Sequence, residues 1–180
     1  MSAPVRVAFL PAEAAGDTAA MSALATMINV AYARADAGLW TVPFQRTSTD
    51  ELVRHTLDRE LAVARLGGEV GGCVRVRTVD DATAEFGLLT ADCSRRGSGI
   101  GRELVRFAEQ TARAAGRNAM ELELMAPRDG PHPAKDFLAA WYRRLGYRVV
   151  GRTDLARVHP GLGQRLARPC DFVRHRKPLR

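Results

Sequence analysis

Arg96-Gly97-Ser98-Gly99-Ile100-Gly101 stands between an apolar run, Ala84 to Ala91, and a segment with apolar residues at 100, 104, 107, 108 and 115. The run reads as a strand. The segment, with Arg102, Glu103, Arg106, Glu109 and Arg113 between its apolar positions, has helical spacing, and Gly116 follows where a C-cap glycine belongs. Glycines at 97, 99 and 101 take turn dihedrals closed to other residues and let the backbone come close to a ligand. A glycine-rich turn that opens a helix aims unpaired N–H groups and the positive end of the helix dipole at one point. Such a point suits a pyrophosphate.

Two phosphate loops are set aside by the residues themselves. A Walker-type loop ends in Gly-Lys-Ser/Thr, and here Gly101 is followed by Arg102-Glu103. The dinucleotide fingerprint needs a small residue three after Gly101, where Leu104 stands, although Glu121 lies at about the distance of its ribose acid. What remains is Arg-x-x-Gly-x-Gly after a strand and before a helix. This resembles the acyl-CoA pyrophosphate loop of the GNAT family of N-acyltransferases. A glycine-rich connector feeding a core helix is the plainer reading of the same residues.

With 180 residues and 46% hydrophobic content the chain can bury one core, so a single domain over 1–180 is expected. No run of about 18 apolar residues exists, and Val7–Leu10, broken by Pro11 and Glu13, is too short for a secretory signal. Neither a membrane partner nor a leader is expected. Cys73, Cys93 and Cys170 are odd in number and fit no metal pattern, nor do the four histidines, so no metal is expected and a reducing cytoplasm is. The net charge of +7 is uneven: 11 Lys plus Arg against 2 Asp plus Glu from Trp141 onward, 16 against 18 before it. The basic end suits a solvated face, a nucleic acid, an acidic partner or cofactor phosphates. No aromatic-interleaved basic motif accompanies it, which disfavours nucleic acid.

In order, Val5–Leu10 reads as a strand, and Asp17 or Thr18 caps a helix to about Ala35. An irregular stretch with Trp40 and Phe44 precedes a short helix after Ser48 or Thr49. Leu61–Leu66 and Val70–Val79 form a hairpin about Gly67-Gly68, with Gly71-Gly72 marking a bulge or close approach. After the glycine-loop helix, Met120–Ala126 alternates as a strand. A helix over about 135–145 gathers Phe137, Leu138, Trp141 and Leu145, and Gly146 ends it. Tyr147–Leu155 and Cys170–Arg176 are strands joined by a basic connector, 156–169. The expected class is α/β, a central mixed sheet flanked by helices on both faces.

GNAT proteins share this succession, and the resemblance covers about the whole chain. A second signature of the family, an aromatic-Tyr pair followed after three residues by Gly and an aromatic, is similar to Trp141-Tyr142-Arg143-Arg144-Leu145-Gly146-Tyr147. The resemblance implies acetyl-CoA as co-substrate. It places the pantetheine arm along the backbone of Leu89, Thr90 and Ala91, and the pyrophosphate on Arg96, Gly97, Ser98, Gly99, Ile100 and Gly101. It implies Tyr142 as the acid that protonates the leaving sulfur and Glu85 as the base, with Asp92 and Glu121 as weaker candidates and ordered water as another route.

Lys135 departs from the asparagine that many members carry seven residues before the tyrosine, and Ala91 and Cys93 replace a β-branched residue and a proline. By analogy Trp40, Phe44 and His159 face the acceptor. The implied function is transfer of acetyl to a primary amine of a small molecule or peptide, with a homodimer as an option. A CoA-binding regulatory module with little turnover and a nucleic-acid-associated protein are the alternatives.

Overall fold

The computed structural model describes residues 4–95 and 97–179. Arg96, expected on the pyrophosphate, lies outside them. Seven strands, β1 (Arg6–Phe9), β2 (Leu61–Leu66), β3 (Glu69–Thr78), β4 (Thr83–Ala91), β5 (Ala119–Pro127), β6 (Arg148–Asp154) and β7 (Cys170–Pro178), form one sheet in the order β1-β2-β3-β4-β5-β7-β6. Neighbours are antiparallel except β4 and β5, which the crossover through α3 (Ile100–Ala114) makes parallel. The other helices are α1 (Thr18–Ala35), α2 (Thr49–Leu57), α4 (Pro133–Arg144) and the short α5 (Leu155–Val158) and α6 (Pro160–Gly163). The mixed sheet with helices on both faces is the architecture expected from the sequence. The connector 156–169 is less irregular than expected, since α5 and α6 occupy part of it.

Local chemistry fixes the ends. Asp17 accepts from the Ala20 amide at 2.9 Å and Ser48 from that of Glu51 at 3.2 Å, so these two, rather than Thr18 and Thr49, are the caps. The helix α4 starts two residues earlier than its apolar spacing indicates, because Pro133 is preset for a first helical turn and His132 accepts from the Lys135 amide through Nδ1. Gly116 and Gly146 both have positive φ and close Schellman motifs: Arg117 N–H reaches Ala112 O, and Tyr147 N–H reaches Tyr142 O. The second family signature is therefore a helix end, with Gly146 supplying a left-handed residue between two aromatics that both turn inward. One expected member of the α4 stripe is elsewhere. Phe137 is 63% exposed, because α4 presents Lys135 and Tyr142, two turns apart on one face, to the protein.

Two cores lie on opposite faces. On one, Val74, Val76, Ala84, Phe86, Leu122 and Leu124 meet α3 and Tyr142 of α4. On the other, Leu61, Val63, Cys73 and Leu88 meet Met21, Leu24 and Ile28 of α1 and Leu52 of α2. A third cluster, with Leu39, Met125, Leu155 and Cys170 buried and Trp40, Leu166 and Phe172 packed against it, ties the α1–α2 connection to the β6–β7 connector.

Much of the basic end is a solvated face, with Arg143, Arg144, Arg148, Arg152, Arg157 and Arg165 exposed. Its strand, β7, is inserted between β5 and β6, and a few cations of this end meet acidic residues from the rest of the chain. Arg176 reaches Glu121 at 3.0 Å, Lys177 reaches Glu109 at 2.7 Å, and Arg168 reaches Asp129 at 2.7 Å.

Candidate functional site

β4 and β5 begin as neighbours and then part. They pair only at Thr83–Ala119, Ala84–Met120 and Glu85–Glu121, although each strand runs nine residues. From Phe86 onward one edge of β4 has no strand beside it. The same stretch carries a bulge: Arg75 faces Gly87, Cys73 faces Thr90, and Leu88 and Leu89 stand opposite the single Val74. Leu88 has φ 51°, an uncommon value for a branched side chain, and its carbonyl accepts from Thr90 Oγ1 at 3.1 Å and from Cys73 Sγ at 3.5 Å. The bulge reverses the facing of β4. Ala84 and Phe86 meet α3 and α4, Leu88 turns to α1 and α2, and Leu89 and Ala91 return to the α3 face.

The glycine loop lies at the far end of this open edge. Gly97 and Gly99 have φ of 80° and 83°, and a Cβ on either would meet nothing within 4 Å, so glycine is required there by dihedral rather than by space. Gly101 is helical and faces the Trp141 ring at 3.7 Å. Gly99 caps α3 with no side-chain bond, and the first bond of the helix runs from Glu103 N–H to Gly99 O. The amides of Ile100, Gly101 and Arg102 therefore have no intrahelical acceptor. Close approach of α3 to the sheet depends on Gly71-Gly72. A Cβ on Gly72 would lie 2.5 Å from Thr90 O and 2.7 Å from Ile100, and Gly71 is itself the extra residue of a bulge against β2. An open strand edge leading to a helix start with unpaired amides fits a pantetheine arm ending in a pyrophosphate.

Tyr142 enters the gap from the α4 side. Its ring packs at 6.1 Å from Phe86, 5.0 Å from Trp141 and 6.1 Å from His175. Burial pushes its pKa up, so the phenol keeps its proton throughout the neutral range. Its hydroxyl makes no hydrogen bond among the described residues, yet it is not one of the side-chain atoms sealed without a partner, which are His55 Nε2 and Arg117 Nε. It is thus open to what enters the gap. Tyr147, by contrast, is committed: its hydroxyl donates to Glu109 at 2.9 Å. His175 was not distinguished in the sequence from the other histidines; it is buried, with Nδ1 2.9 Å from Val173 O.

The candidate bases lie on the opposite face. Glu85 stands directly across from Arg77 and is held by it at 3.0 Å through both Nε and a terminal nitrogen. Glu121 is buried and takes Arg176 at 3.0 Å, with Arg174 at 3.9 Å. Asp92 accepts the amide and hydroxyl of Ser94, both at 2.8 Å, which lower its pKa and make it the anchor of the turn into the glycine loop. A residue that sequence reasoning missed is Glu123, two positions beyond the last β4–β5 pair and on the same face as Glu121. No ion pair to it is found among the described residues. Desolvation first, and then the Glu85 carboxylate, raise its pKa. Only the alternation of β5 pointed to it in the sequence, and that alternation cannot tell which of two glutamates lies beyond a split.

The α1–α2 and β6–β7 connections pair with each other. Thr41 N–H reaches Arg165 O at 2.8 Å, and Ala167 N–H reaches Leu39 O at 2.9 Å. Trp40 stacks on Phe44 at 4.1 Å, and His159, exposed, sets its ring edge-on to Phe172 at 5.8 Å. Trp40, Phe44 and His159, expected to face an acceptor, are on these connections. Trp40 and Phe44 also border a cavity of about 260 Å³ at the end of α1, together with Asp36 and Val42. Lys135, where an asparagine was expected, is buried in an ion pair with Asp36, whose other oxygen accepts from Trp40 Nε1 at 3.2 Å. The pair fastens the α1–α2 connection to the helix that carries Tyr142. No cluster of three or more His, Cys, Asp or Glu able to hold a metal occurs among the described residues. No helix among them is long and apolar enough to cross a membrane.

The sheet divides between two parallel strands, with a glycine-capped helix start at the opening and a tyrosine reaching in. The chain belongs to the GNAT acetyltransferases: residues 58–149 match the acetyltransferase (GNAT) domain. Among solved structures it is similar to the PaiA N-acetyltransferase of Thermoplasma acidophilum in complex with coenzyme A. The TM-score is 0.70 at 16% identity, over 97% of this chain and 99% of that one. An aminoglycoside 6'-N-acetyltransferase complexed with coenzyme A gives 0.70 at 15%, over 97% of each chain. YncA from Salmonella typhimurium, with its cofactor acetyl-CoA, gives 0.68 at 18%, over 99% of this chain and 95% of that one. At these identities the likeness is one of fold. No curated protein matches by sequence.

Proposed function

We propose that this protein transfers an acetyl group from acetyl-CoA to a primary amine by direct attack on the thioester. The observation that carries the reading is the parting of β4 and β5 beyond Glu85 and Glu121, which leads to the unpaired amides at the start of α3. The backbone of Leu89, Thr90 and Ala91 pairs with the pantetheine arm. Gly97, Ser98, Gly99, Ile100 and Gly101, with Arg96, hold the pyrophosphate. Acetyl-CoA supplies an activated acyl carbon and a thiolate leaving group.

A carboxylate on the α1–α2 face takes the proton of the amine, whose nitrogen bonds to the acyl carbon as the carbon–sulfur bond breaks. The Tyr142 hydroxyl gives its proton to the departing sulfur and regains one from solvent. Glu123 is favoured as the base, because no cation among the described residues is bound at its carboxylate and its pKa is raised. Glu85 takes the role only with its bonds to Arg77 released.

The first test is binding. Acetyl-CoA at about 100 times its Kd stabilises the native state by about 2.7 kcal/mol, a rise of about 5–10 °C in Tm for a chain of this size. Gly99→Glu removes the rise, since it sets an anion at the pyrophosphate position on a backbone with φ 83°. A wild-type protein with no shift at millimolar acetyl-CoA overturns the reading.

A further inference from the structure

Arg46 differs from three other arginines of the α1–α2 face. Arg75 holds Glu60 at 2.7 Å, Arg77 holds Glu85 and Arg176 holds Glu121, both at 3.0 Å. Arg46, half-buried, has no carboxylate within ion-pair distance among the described residues. Instead its guanidinium lies 5.3 Å from the centroid of the Tyr32 ring. Its backbone is fixed: the next residue, Thr47, exchanges two bonds with the Asn29 side chain, at 3.0 and 2.9 Å, and its hydroxyl donates to Glu51 at 2.8 Å. Tyr32 in turn packs against the cluster that contains Cys73 and the bulge residue Leu88. A guanidinium is thus stacked, held in place and left without an anion on the side of the β4 bulge away from α4. A ring face offsets part of the desolvation of such a cation, and a carboxylate completes it through two parallel N–H···O bonds.

Resting on the proposed acetyl transfer, we infer that the acceptor is an amine that also bears a carboxylate, and that Arg46 is the residue that receives it. The anion belongs to the acceptor rather than to CoA, because the pyrophosphate site at the start of α3 lies on the other face of the sheet. Arg46 sets specificity by orienting the amine toward the gap.

The test measures thiol release from acetyl-CoA with each proteinogenic amino acid and with the amine left by removing its carboxylate. The expected result is a kcat/KM about 10- to 100-fold higher for the carboxylated member of a pair, lost in Arg46→Gln and partly kept in Arg46→Lys. Arg46→Lys also carries the test if the Gln variant does not fold. Equal rates within pairs, or a loss in the variants that falls alike on both members, overturn the inference and leave the acetyltransferase reading standing. Thiol release with no acceptor of either kind also overturns it. The Tm shift with acetyl-CoA then shows separately whether cofactor binding fails with it.

Discussion

The two faces of the sheet solve different problems with different residues. On the α3–α4 face the gap is bordered by glycines, Phe86, Trp141 and Tyr142, and the buried Glu109 carboxylate of α3 is closed off by Tyr147 and Lys177. On the α1–α2 face, Glu60, Arg75, Arg77, Glu85, Glu121, Glu123, Arg174 and Arg176 line β2 to β7 as a mosaic of alternating charge. The first face is shaped by backbone geometry, which needs only dihedrals and space. The second is shaped by side chains, whose partners are far apart in the chain.

The largest expected effect lies on the first face. Tyr142→Phe keeps the ring and its contacts with Phe86 and His175 and removes the one hydroxyl open to the gap. The rate falls about 10²–10⁴-fold, while Tm and its rise with acetyl-CoA stay the same. The defect persists or deepens at high pH, where solvent is a poorer acid. Unchanged turnover in this variant would remove the tyrosine from the chemistry and leave the fold assignment intact.

Next comes the base. With an alkyl amine acceptor, protonated up to a pKa of about 10.4, Glu123→Gln lowers the rate about 10²-fold or more near pH 7, and the loss shrinks as pH rises. Glu85→Gln, which mainly frees Arg77, is expected to do less. Paired pH–rate profiles decide this, and the opposite ranking of the two variants hands the role to Glu85.

The same contrast explains what could be read beforehand. Strands, helices and the glycine loop were legible because their signals are local: alternation in β5, the 3.6 period of α3, a glycine after each of α3 and α4. Thr90 and Ala91 could be placed on the open edge, but not the bulge at Leu88, since the positive φ falls on that leucine and not on Gly87 beside it. The acceptor face was poorly legible. Glu85 looked like a free carboxylate until its cross-strand neighbour was found to be Arg77, and the pairing of Arg176 with Glu121 spans 55 residues. Lys135 read as a lost asparagine, and only the return of α1 beside α4 supplies its partner Asp36.

The charge mosaic itself is tested by Arg174→Gln with Arg176→Gln. A solvated basic face would tolerate both. Here the substitutions leave the buried Glu121 carboxylate without its cations. Because both arginines are partly exposed, the expected cost is about 1–3 kcal/mol, less than for a fully buried pair. Chemical denaturation measures it. Acetyl-CoA binding stays intact, since neither residue lies on the α3 side; a loss of binding with unchanged stability would place this strand in the cofactor site.

The smallest effect compares the faces through one histidine each. His55 on α2 and His175 beside Tyr142 are both buried, and desolvation, the leading cause in each, lowers their pKa below the ordinary value. For His55 the Arg75 cation adds to the lowering, while Glu51 at 3.6 Å and Glu60 at 3.9 Å act against it. A lowered folded pKa means that the unfolded chain binds the proton first. The stability from burying neutral imidazole is complete above the unfolded value of about 6.5 and is lost as pH falls toward the folded pKa. At pH 5.5 each histidine accounts for at most about 1.4 kcal/mol of lost stability, on top of the carboxylate titrations that begin at lower pH. His55→Gln should therefore flatten the fall in Tm between pH 7.5 and 5.5 without changing the pH–rate profile. His175→Gln should flatten it as well, but it should also disturb turnover, because its ring packs against the tyrosine that faces the gap. If neither variant alters the slope of Tm against pH, the two imidazoles are not buried neutral groups, and the acid sensitivity of the fold lies in its carboxylates alone.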